Sequence, residues 1–556
     1  MKKLFRNSLL MLVAGAFAVS CADYNVTDDF KAEKDPTFVE PYKDLNPIKS
    51  YIDREKYPNM TLGTTLNVTE FNKQELAHAA AVANFDNVSF GSTLMSGKIV
   101  NAKGVMNFLD MSDLLAHVDD IGYEVFGSPI VANEGQADEW LNTLTAPIEI
   151  VVDYVEGKTV DFNEMPEGPY NGTVEKGEAS IVKYDNQNCL QIGTAKSPQA
   201  NVHIIDGFEV DSLAKYTITF WAKCAKGTAL FSLVFSGNNQ IDGGSSGGRF
   251  SLEAGNWKKF VVECQSAPGE TAGYLRIDNT KAASFYIQKV EVGYYPDNHR
   301  PQTAQEKTDT INYALNAWCD GLMKINAGRI NTFDLIDDAI GTQEMENGML
   351  DLKHSTDKFF WQDVIGSEQY APVVSKVASE AYQKYEGDPA ALKFFISESG
   401  LDDQKKFESL KYWIGIWDAN GAKIDGINAK LNLSYSEDAA THEADKVTLD
   451  NLLTNLASTG KLIRLSNFDI TYKNAEGAKV AAKDITDDQR QKLADYYGYV
   501  IKSYMTKIPH DKQAGICKGN LADTSDPVGL WAVDSKSKDW VRTATYKAFC
   551  DALGGN

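Results

Sequence analysis

The pattern of apolar segments changes twice along the chain, and this limits the possible fold more than any other feature. Short apolar stretches alternate with amphipathic helical segments up to about residue 147 and again from about residue 300, as in parallel β/α units. Between residues 148 and 295, short alternating strands and glycine-rich turns are typical of an antiparallel β-sandwich. The strands predicted for the β/α part are 62–66, 88–90, 123–126, 331–336, 393–397, 426–433, 462–468 and 514–517. The sequence therefore predicts an eight-stranded β/α (TIM) barrel with an antiparallel β-sandwich inserted after the third barrel strand.

The composition predicts a large protein with well-filled cores. Apolar residues make up 43% and aromatic residues 11% of the 556 positions, which suffices for more than one core. The formal net charge of −22 would become −25 if Lys2, Lys3 and Arg6 were removed with an N-terminal signal. This charge disfavours nucleic acid and anionic lipid as partners, whereas a neutral polymer is unaffected by it.

The N-terminus has the features of a lipoprotein signal. Three cationic residues precede the apolar run 9–19, which is too short for a stable membrane span. The small residues before Cys21 resemble a bacterial lipobox, and the acidic residues that follow resemble the surface-export signal of Bacteroidetes lipoproteins. We expect residues 1–20 to be a signal peptide, Cys21 to carry lipid, and residues 21–46 to form a polar tether on the outer face of the outer membrane. An ordinary secreted protein with an incidental Cys21 is the alternative.

Cysteine and histidine spacing gives no sign of a metal or a nucleophile. The six cysteines after Cys21 have no close pairs, so neither a disulfide framework nor a zinc site is indicated. The seven histidines are dispersed, and the motif H-E-x-x-H is absent. The sequence therefore predicts buried thiols and no cofactor.

Four segments of the β/α part carry a resemblance to a known family. Residues 332–340 (TFDLIDDAI) are similar to W-D-V-V-N-E-A-I of family 10 xylanases, and residues 359–366 are similar to the segment that follows it there. Residues 426–433 (GINAKLNL) resemble G-I-G-T-Q-x-H-I, and residues 463–470 (IRLSNFDI) resemble V-x-I-T-E-L-D-I. From about residue 46 to the end, the chain therefore resembles glycoside hydrolase family 10, in which Bacteroidetes members carry an inserted carbohydrate-binding module.

The resemblance implies that both catalytic carboxylates of the family are altered. A retaining glycosidase needs an acid/base and a nucleophile whose carboxyl groups lie about 5 to 5.5 Å apart. The acid/base glutamate aligns with Asp338, whose carboxyl is one methylene closer to the backbone. The nucleophile glutamate aligns with Asn467, whose amide is a very poor nucleophile. We therefore expect no catalytic residue at either position.

Positions that hold the substrate in the family are changed as well. These positions align with residues 91–93, Gly127, Ser128, Lys430, Asn432 and Gly519. An aromatic wall of the groove is therefore expected to be lost. Other carboxylates near the motifs, namely Asp334, Asp337, Asp363 and Asp469, leave open a hydrolase with a different pair.

The predicted sandwich then becomes the candidate glycan-binding part. Strand alternation puts Tyr216 and Phe220 on one face of residues 216–223 and Trp221 on the other, where its indole could stack on a sugar. A loop or the barrel covering Trp221 is the alternative. Further candidates for carbohydrate binding are Tyr274, Arg276, Phe235 and Tyr286, and a structural calcium could use Asp161 and Asp297.

Together these features predict a surface lipoprotein that binds xylan or a related plant polysaccharide without cleaving it. The predicted organisation is a signal peptide (1–20), a lipidated tether (21–46), a first barrel part (47–147), an inserted carbohydrate-binding module (148–299) and the rest of the barrel (300–556). A divergent endo-1,4-beta-xylanase and a structural subunit of a surface complex are the alternatives. Expected partners are the polysaccharide, the outer membrane through the lipid, and an outer-membrane glycan transporter.

Overall fold

The computed structural model describes residues 42–236, 239–280, 282–534 and 538–555. Its chain forms two compact units, of which one is Ala146–Gln302 and the other consists of the described residues on either side of it. The predicted signal peptide and Cys21 lie outside the described residues, as does most of the predicted tether. Among the described helices, none combines the length and the hydropathy that a bilayer crossing needs.

The first unit is built on a curled sheet of parallel strands. Their order across the sheet is Glu124–Phe126, Asn87–Ser89, Thr61–Thr65, Gln513–Lys518, Leu462–Ser466, Gly426–Lys430, Lys393–Ser399, Thr332–Asp337 and Val131–Ala132. Its helices are Val68–Asn72, Leu76–Asn84, Ser96–Ile99, Leu109–Ile121, Asp138–Thr145, Ala304–Asn326, Trp361–Ile365, Tyr370–Lys384, Gln404–Ala419, Ala439–Ser458, Asp487–Lys507 and Ala544–Leu553. Short strand pairs at the loops are Ile340–Glu344 with Leu350–Leu352, Leu433–Ser436 with Ile470–Lys473, and Trp531–Val533 with Trp540–Arg542.

The two ends of the curled sheet are joined by backbone hydrogen bonds. Gly127 N–H donates to the carbonyl of Thr332 at 2.8 Å, and Ile130 N–H donates to that of Asp334 at 2.9 Å. The third strand, predicted at residues 123–126, is found as Glu124–Phe126, and the two-residue strand Val131–Ala132 at the other end of the sheet was not predicted from the sequence. Gly127 permits the close approach, since a Cβ there would lie 2.1 Å from Cδ1 of Phe333.

Local sequence signals explain where the long helices begin and end. Thr303 and Glu306 form a capping box at the start of Ala304–Asn326, and Ala327 and Gly328 follow with positive φ. Thr486 and Gln489 form a second box at the start of Asp487–Lys507. Apolar residues at helical spacing, such as Ile311, Leu315, Trp318 and Leu322, face the barrel core.

The second unit consists mainly of two antiparallel sheets. The larger sheet contains Lys258–Gln265, Lys215–Cys224, Phe285–Tyr295, Gln187–Ile192, Ala179–Tyr184, Gly168–Pro169 and Val155–Asp161. The smaller sheet contains Asn239–Ile241, Thr228–Phe235, Ala272–Asn279, Ala200–Glu209, Val174–Lys176 and Phe250–Glu253. Ile148–Glu149 pairs with His299–Arg300 at the ends of the unit. Side chains from both sheets form one hydrophobic core that includes Phe220, Phe231 and Phe285.

Gly127→Ala tests the closure of the curled sheet. The added methyl group would meet the Phe333 ring, and we expect a loss of about 1–3 kcal/mol of unfolding free energy from overpacking. Gly415→Ala, in a helix and with no atom within 4 Å of the added Cβ, serves as control and should stabilise slightly. Thermal unfolding followed by circular dichroism measures both, and equal midpoints for the two variants would contradict this account of the closure.

Candidate functional site

A cavity of about 360 Å³ opens at the carboxyl ends of the parallel strands. This is the end of a β/α barrel at which active sites are built. The strand ends contribute lining residues from every side of the sheet: Thr65, Ser89, Phe126, Asp337, Ser397, Lys430, Ser466 and Cys517. Asn467 lines the cavity as well, whereas Asp338 does not.

The Asp338 carboxylate is held by three hydrogen bonds. The backbone N–H and the hydroxyl of Ser399 each donate to its Oδ1 at 2.8 Å, and the Lys430 ammonium donates to its Oδ2. Burial alone would raise the pKa of Asp338, but the hydrogen bonds and charge of Lys430, with the bonds from Ser399, bring it well below its usual range. A general acid must carry a proton near neutral pH, so Asp338 is unsuited to that role.

Lys430 links two neighbouring carboxylates. Its strand pairs with the strand that ends at Ser399, which brings the ammonium beside Asp338 and to 2.7 Å from Asp337 Oδ1. Burial lowers the pKa of Lys430, but the two carboxylates outweigh it and the net change is upward. The cation is therefore permanent, and we call Lys430, Asp337 and Asp338 the lysine–aspartate cluster.

Asn467 follows the strand that pairs with Lys430 on its other side. Its backbone has φ of 52° and that of Asp338 has φ of 47°. Asparagine and aspartate tolerate this left-handed region better than most residues, so the residue types fit the turns in which they occur. An amide at this place supplies no nucleophile and no negative charge.

Asp334 is the carboxyl group buried deepest in the cavity wall. Asn428 donates to its two oxygens at 3.1 and 3.0 Å. Burial raises the pKa of Asp334 to about 7, although the positive charge of Arg464 opposes the rise. The Arg464 guanidinium lies 3.7 Å from the centroid of the Phe126 ring and donates to the Ser89 hydroxyl at 2.9 Å.

The other acidic candidates are separated from the cavity by their own partners. Asp363 pairs with His354, and Asp469 accepts hydrogen bonds from Lys518 and Asn520. The sequence had not indicated Glu398, which is fully buried and pairs with Lys406 at 2.7 Å. Burial raises the pKa of Glu398 to about 7. Its position one residue before the end of the strand Lys393–Ser399 marks it only once the strand is known.

The changed groove positions differ in where they lie. Gly91, Ser92, Gly127 and Ser128 line the cavity, whereas Asn432 and Gly519 do not. A Cβ at position 519 would lie 2.4 Å from Oδ2 of Asp469. At both Gly127 and Gly519, an added Cβ would meet a neighbouring side chain, that of Phe333 or Asp469, in its present position.

Trp221 lies on the outer face of the larger sheet of the second unit. Tyr216, Ile218, Phe220 and Ala222 are buried on the inner face, and Trp221 is partly exposed. In register, Trp221 lies between Lys259 and Lys289 on the neighbouring strands. The Lys259 ammonium lies 5.1 Å from the centroid of the indole ring.

Tyr286 belongs to an aromatic group on the same outer face. Its ring stacks on that of Tyr184 at a centroid distance of 3.9 Å, and the Trp257 ring lies 6.5 Å from Tyr184. The Trp257 indole N–H donates to Asp185 at 3.1 Å, and Lys223 pairs with the same carboxylate. The sequence did not single out Tyr184 and Trp257, because nothing local marks two residues that meet only through sheet pairing.

Tyr274 and Arg276 lie on the outer face of the smaller sheet and so form a separate group. The His203 ring stacks on Tyr274 at 4.4 Å. Arg276 pairs with Asp278 at 2.7 Å and with Glu175 at 3.0 Å. These charges hold one another in place. The group is separated from Trp221 because the outer faces of the two sheets point in opposite directions.

Phe235 was wrongly predicted as a glycan contact. It is 0% exposed and packs against Tyr216 and Phe208 in the core. Asp161 accepts a hydrogen bond from the backbone of Asn163, and Asp297 pairs with His299. Within the described ranges, no group of three or more His, Cys, Asp and Glu side chains could hold a metal ion, so the expected calcium has no such cluster there.

Comparisons with known proteins agree with the fold of the first unit. The family model described as Glycosyl hydrolase family 10 matches residues 296–525. The chain is similar to Penicillium canescens endo-1,4-beta-xylanase XylE, with 10% identity, a TM-score of 0.50, and coverage of 92% of this chain and 98% of that chain. A novel family 10 endoxylanase from a sugarcane soil metagenome gives 9% identity, a TM-score of 0.51, and coverage of 92% and 100%. Xylanase B from Clostridium stercorarium F9 gives 9%, 0.50, and coverage of 91% and 100%.

No curated protein matches the chain in sequence. At such low sequence identities, the similarity to these solved structures indicates a shared fold and nothing about function. The prediction of a β/α barrel-like fold is confirmed, and the resemblance to family 10 is confirmed for a domain over residues 296–525.

Asp334→Asn tests the buried carboxyl through its effect on stability. The folded pKa of about 7 exceeds the ordinary value of 3.8, so the native protein binds more protons between these pH values. Stability from this group is therefore lost as the pH rises from about 4 to about 7. We expect the unfolding free energy of the variant, relative to wild type, to rise on the order of 4 kcal/mol between pH 4 and pH 8. Urea unfolding at each pH measures it, and a pH-independent difference would contradict the raised pKa.

Proposed function

We propose that this chain, whose residues 296–525 are a glycosyl hydrolase family 10 domain, is a cell-surface lipoprotein that binds xylan or a related plant polysaccharide without cleaving it. In this proposal residues 124–132 count as one interrupted strand, which gives an eight-stranded barrel with a β-sandwich inserted after its third strand. The observation that carries the proposal is the lysine–aspartate cluster beside an amide at position 467.

The lysine–aspartate cluster and Asn467 each oppose one half-reaction of a retaining glycosidase. Protonation of the leaving group needs a neutral acid, but Lys430 and Ser399 hold Asp338 as a carboxylate. The glycosyl–enzyme intermediate needs a carboxylate nucleophile, and Asn467 has none to offer. Each loss removes several kcal/mol of transition-state stabilisation, and about 1.4 kcal/mol is already a tenfold loss of rate.

Glycan binding is assigned in this proposal to the outer face of the larger sheet. Trp221 and Tyr286 are partly exposed there, and Tyr184 and Trp257 lie nearby. Lys223 follows Trp221 by two residues on its strand and is the cross-strand partner of Tyr286. Flat aromatic rings with polar neighbours suit the C–H faces and hydroxyl groups of sugars. Tyr274 and Arg276 would then be a second, smaller contact area on the opposite face.

The cellular setting of the proposal rests on the sequence. Lipid on Cys21 would anchor the protein to the outer membrane, with the acidic tether directing it to the outer face. A surface-anchored glycan binder suits delivery of polysaccharide to an outer-membrane transporter. Xylan is proposed because residues 296–525 match the family 10 model and because solved structures similar to this chain are xylanases.

A second candidate function is a divergent endo-1,4-beta-xylanase-type hydrolase. It is favoured by Asp334, whose pKa of about 7 is in the range of a general acid, and by Asp337 in the wall of the same cavity. Against it, Asp337 is paired with Lys430 and Asp334 is only 7% exposed.

Trp221→Ala tests glycan binding on the larger sheet. In affinity electrophoresis through gels that contain plant polysaccharides, we expect wild type to be retarded by xylan and the variant to bind roughly tenfold more weakly, because stacking area is lost. Tyr313→Ala removes an aromatic side chain that is 68% exposed on a barrel helix and should behave as wild type. No retardation of wild type by any polysaccharide would overturn the proposal.

Reducing-sugar release separates binding from hydrolysis. We expect purified wild-type protein to release no more sugar from xylan than a buffer control over a day. Release at an enzyme-like rate that Asp334→Asn abolishes would instead establish the hydrolase. Release unaffected by that variant would point to a contaminating enzyme, which a Trp221→Ala preparation made in parallel would reveal.

A further inference from the structure

We propose that the surface around Trp221 selects polysaccharides that carry uronic acid carboxylates. This inference rests on the proposed function, because it names the class of glycan that the same surface takes. Trp221 is surrounded by three lysines: Lys223 two residues along its strand, Lys259 on one neighbouring strand and Lys289 on the other.

The position of these lysines follows from the sheet register. Alternate residues of a strand point to the same face, so Lys223 shares the outer face with Trp221. Lys259 and Lys289 are the direct cross-strand partners of Trp221, and such pairs have Cβ atoms about 4.5–5.5 Å apart. A sugar ring on the indole therefore has an ammonium group on at least two sides.

The charges of this surface are only partly compensated. Lys223 pairs with Asp185, and Lys289 pairs with Glu291 at 2.5 Å. Within the part of the chain that the structure describes, Lys259 has no carboxylate partner and its ammonium lies over the indole instead. Lys259 thus keeps its hydrogen-bond donors for a ligand.

Carboxylates also flank this surface, since Asp161 is a cross-strand neighbour of Lys289, so Lys259 is a cation that the described carboxylates leave unpaired in a chain of net charge −22. A long-range field of that sign repels acidic polymers, so an acidic glycan needs a local cationic site to bind at all. At physiological salt, charges act over only about 8 Å. Lysines next to the stacking ring can therefore attract a uronate even though the whole protein is acidic.

Binding of two matched polysaccharides tests the proposal. Affinity electrophoresis with glucuronoxylan and with neutral arabinoxylan compares an acidic and a neutral polymer on the same backbone. For wild type at low salt we expect glucuronoxylan to bind at least threefold more tightly, and the advantage to vanish in 0.5 M NaCl, because short-range ionic contacts are screened.

The variant Lys259→Gln/Lys289→Gln should lose the preference and keep its affinity for arabinoxylan within twofold. The control Lys376→Gln/Lys411→Gln removes the same charge from exposed positions on two barrel helices and should keep the preference. Equal loss in both double variants would mean that net charge alone acts, which overturns the local site.

The outcomes keep this inference apart from the proposed function. Equal binding of the two polymers by wild type refutes uronate selection but leaves glycan binding intact. Binding of neither polymer, or of any other polysaccharide, refutes the proposed function itself. A preference for glucuronoxylan that survives Trp221→Ala places the acidic site elsewhere and also overturns the inference.

Discussion

The ion pairs of Lys430 are the interaction on which the rest of the candidate active site depends. A lysine at the end of this strand projects into the barrel mouth, where it needs compensation for the loss of solvent. Asp337 and Asp338 supply that compensation from the next strand but one, with Ser399 on the strand between them. Once the two carboxylates serve the lysine, neither is free to exchange a proton with a substrate.

The three residues of the lysine–aspartate cluster depend on one another electrostatically. A lysine beside an intact acid/base residue would lower the pKa of that residue, so that it would lose its proton. A second carboxylate without the lysine would repel the charge of its neighbour. The charge of Lys430 stabilises the carboxylates of Asp337 and Asp338, and the uncharged Asn467 nearby does not disturb this balance. The three residues of the cluster therefore form a stable charge arrangement at the mouth of the cavity.

The sequence predicted the parts of the molecule that depend on local pattern. Strand positions in the barrel follow from apolar runs between helices, and the faces of Lys215–Cys224 follow from alternation, so Trp221 was correctly expected opposite Phe220. The motif alignment located Asp338 and Asn467, but gave no hint that Lys430 reaches Asp338. That contact depends on the pairing of three strands, which are distant in sequence.

The features that the sequence did not predict also depend on pairing between strands that are distant in sequence. Phe235 and Trp221 are both aromatic residues in strands, but only the pairing of sheets decides which face is covered. The strand Val131–Ala132 was not predicted, and neither was the contact of Gly127 with Phe333 that joins the two ends of the sheet. A glycine that closes a sheet looks like any other turn glycine until its neighbour is known.

An active glycosidase must bind its sugar and exchange protons with it at the same site. In this chain, the residues suited to each task lie in different units. In the first unit, Lys430 pairs with Asp337 and Asp338, and a side chain added at Gly127 or Gly519 would meet Phe333 or Asp469. In the sandwich, an aromatic ring lies at the surface with at least one lysine that has no carboxylate partner among the described residues. Binding needs only the second arrangement, since holding a sugar requires contact area and a few donors but no group of finely adjusted pKa. Mutation could therefore change the first arrangement without weakening the second.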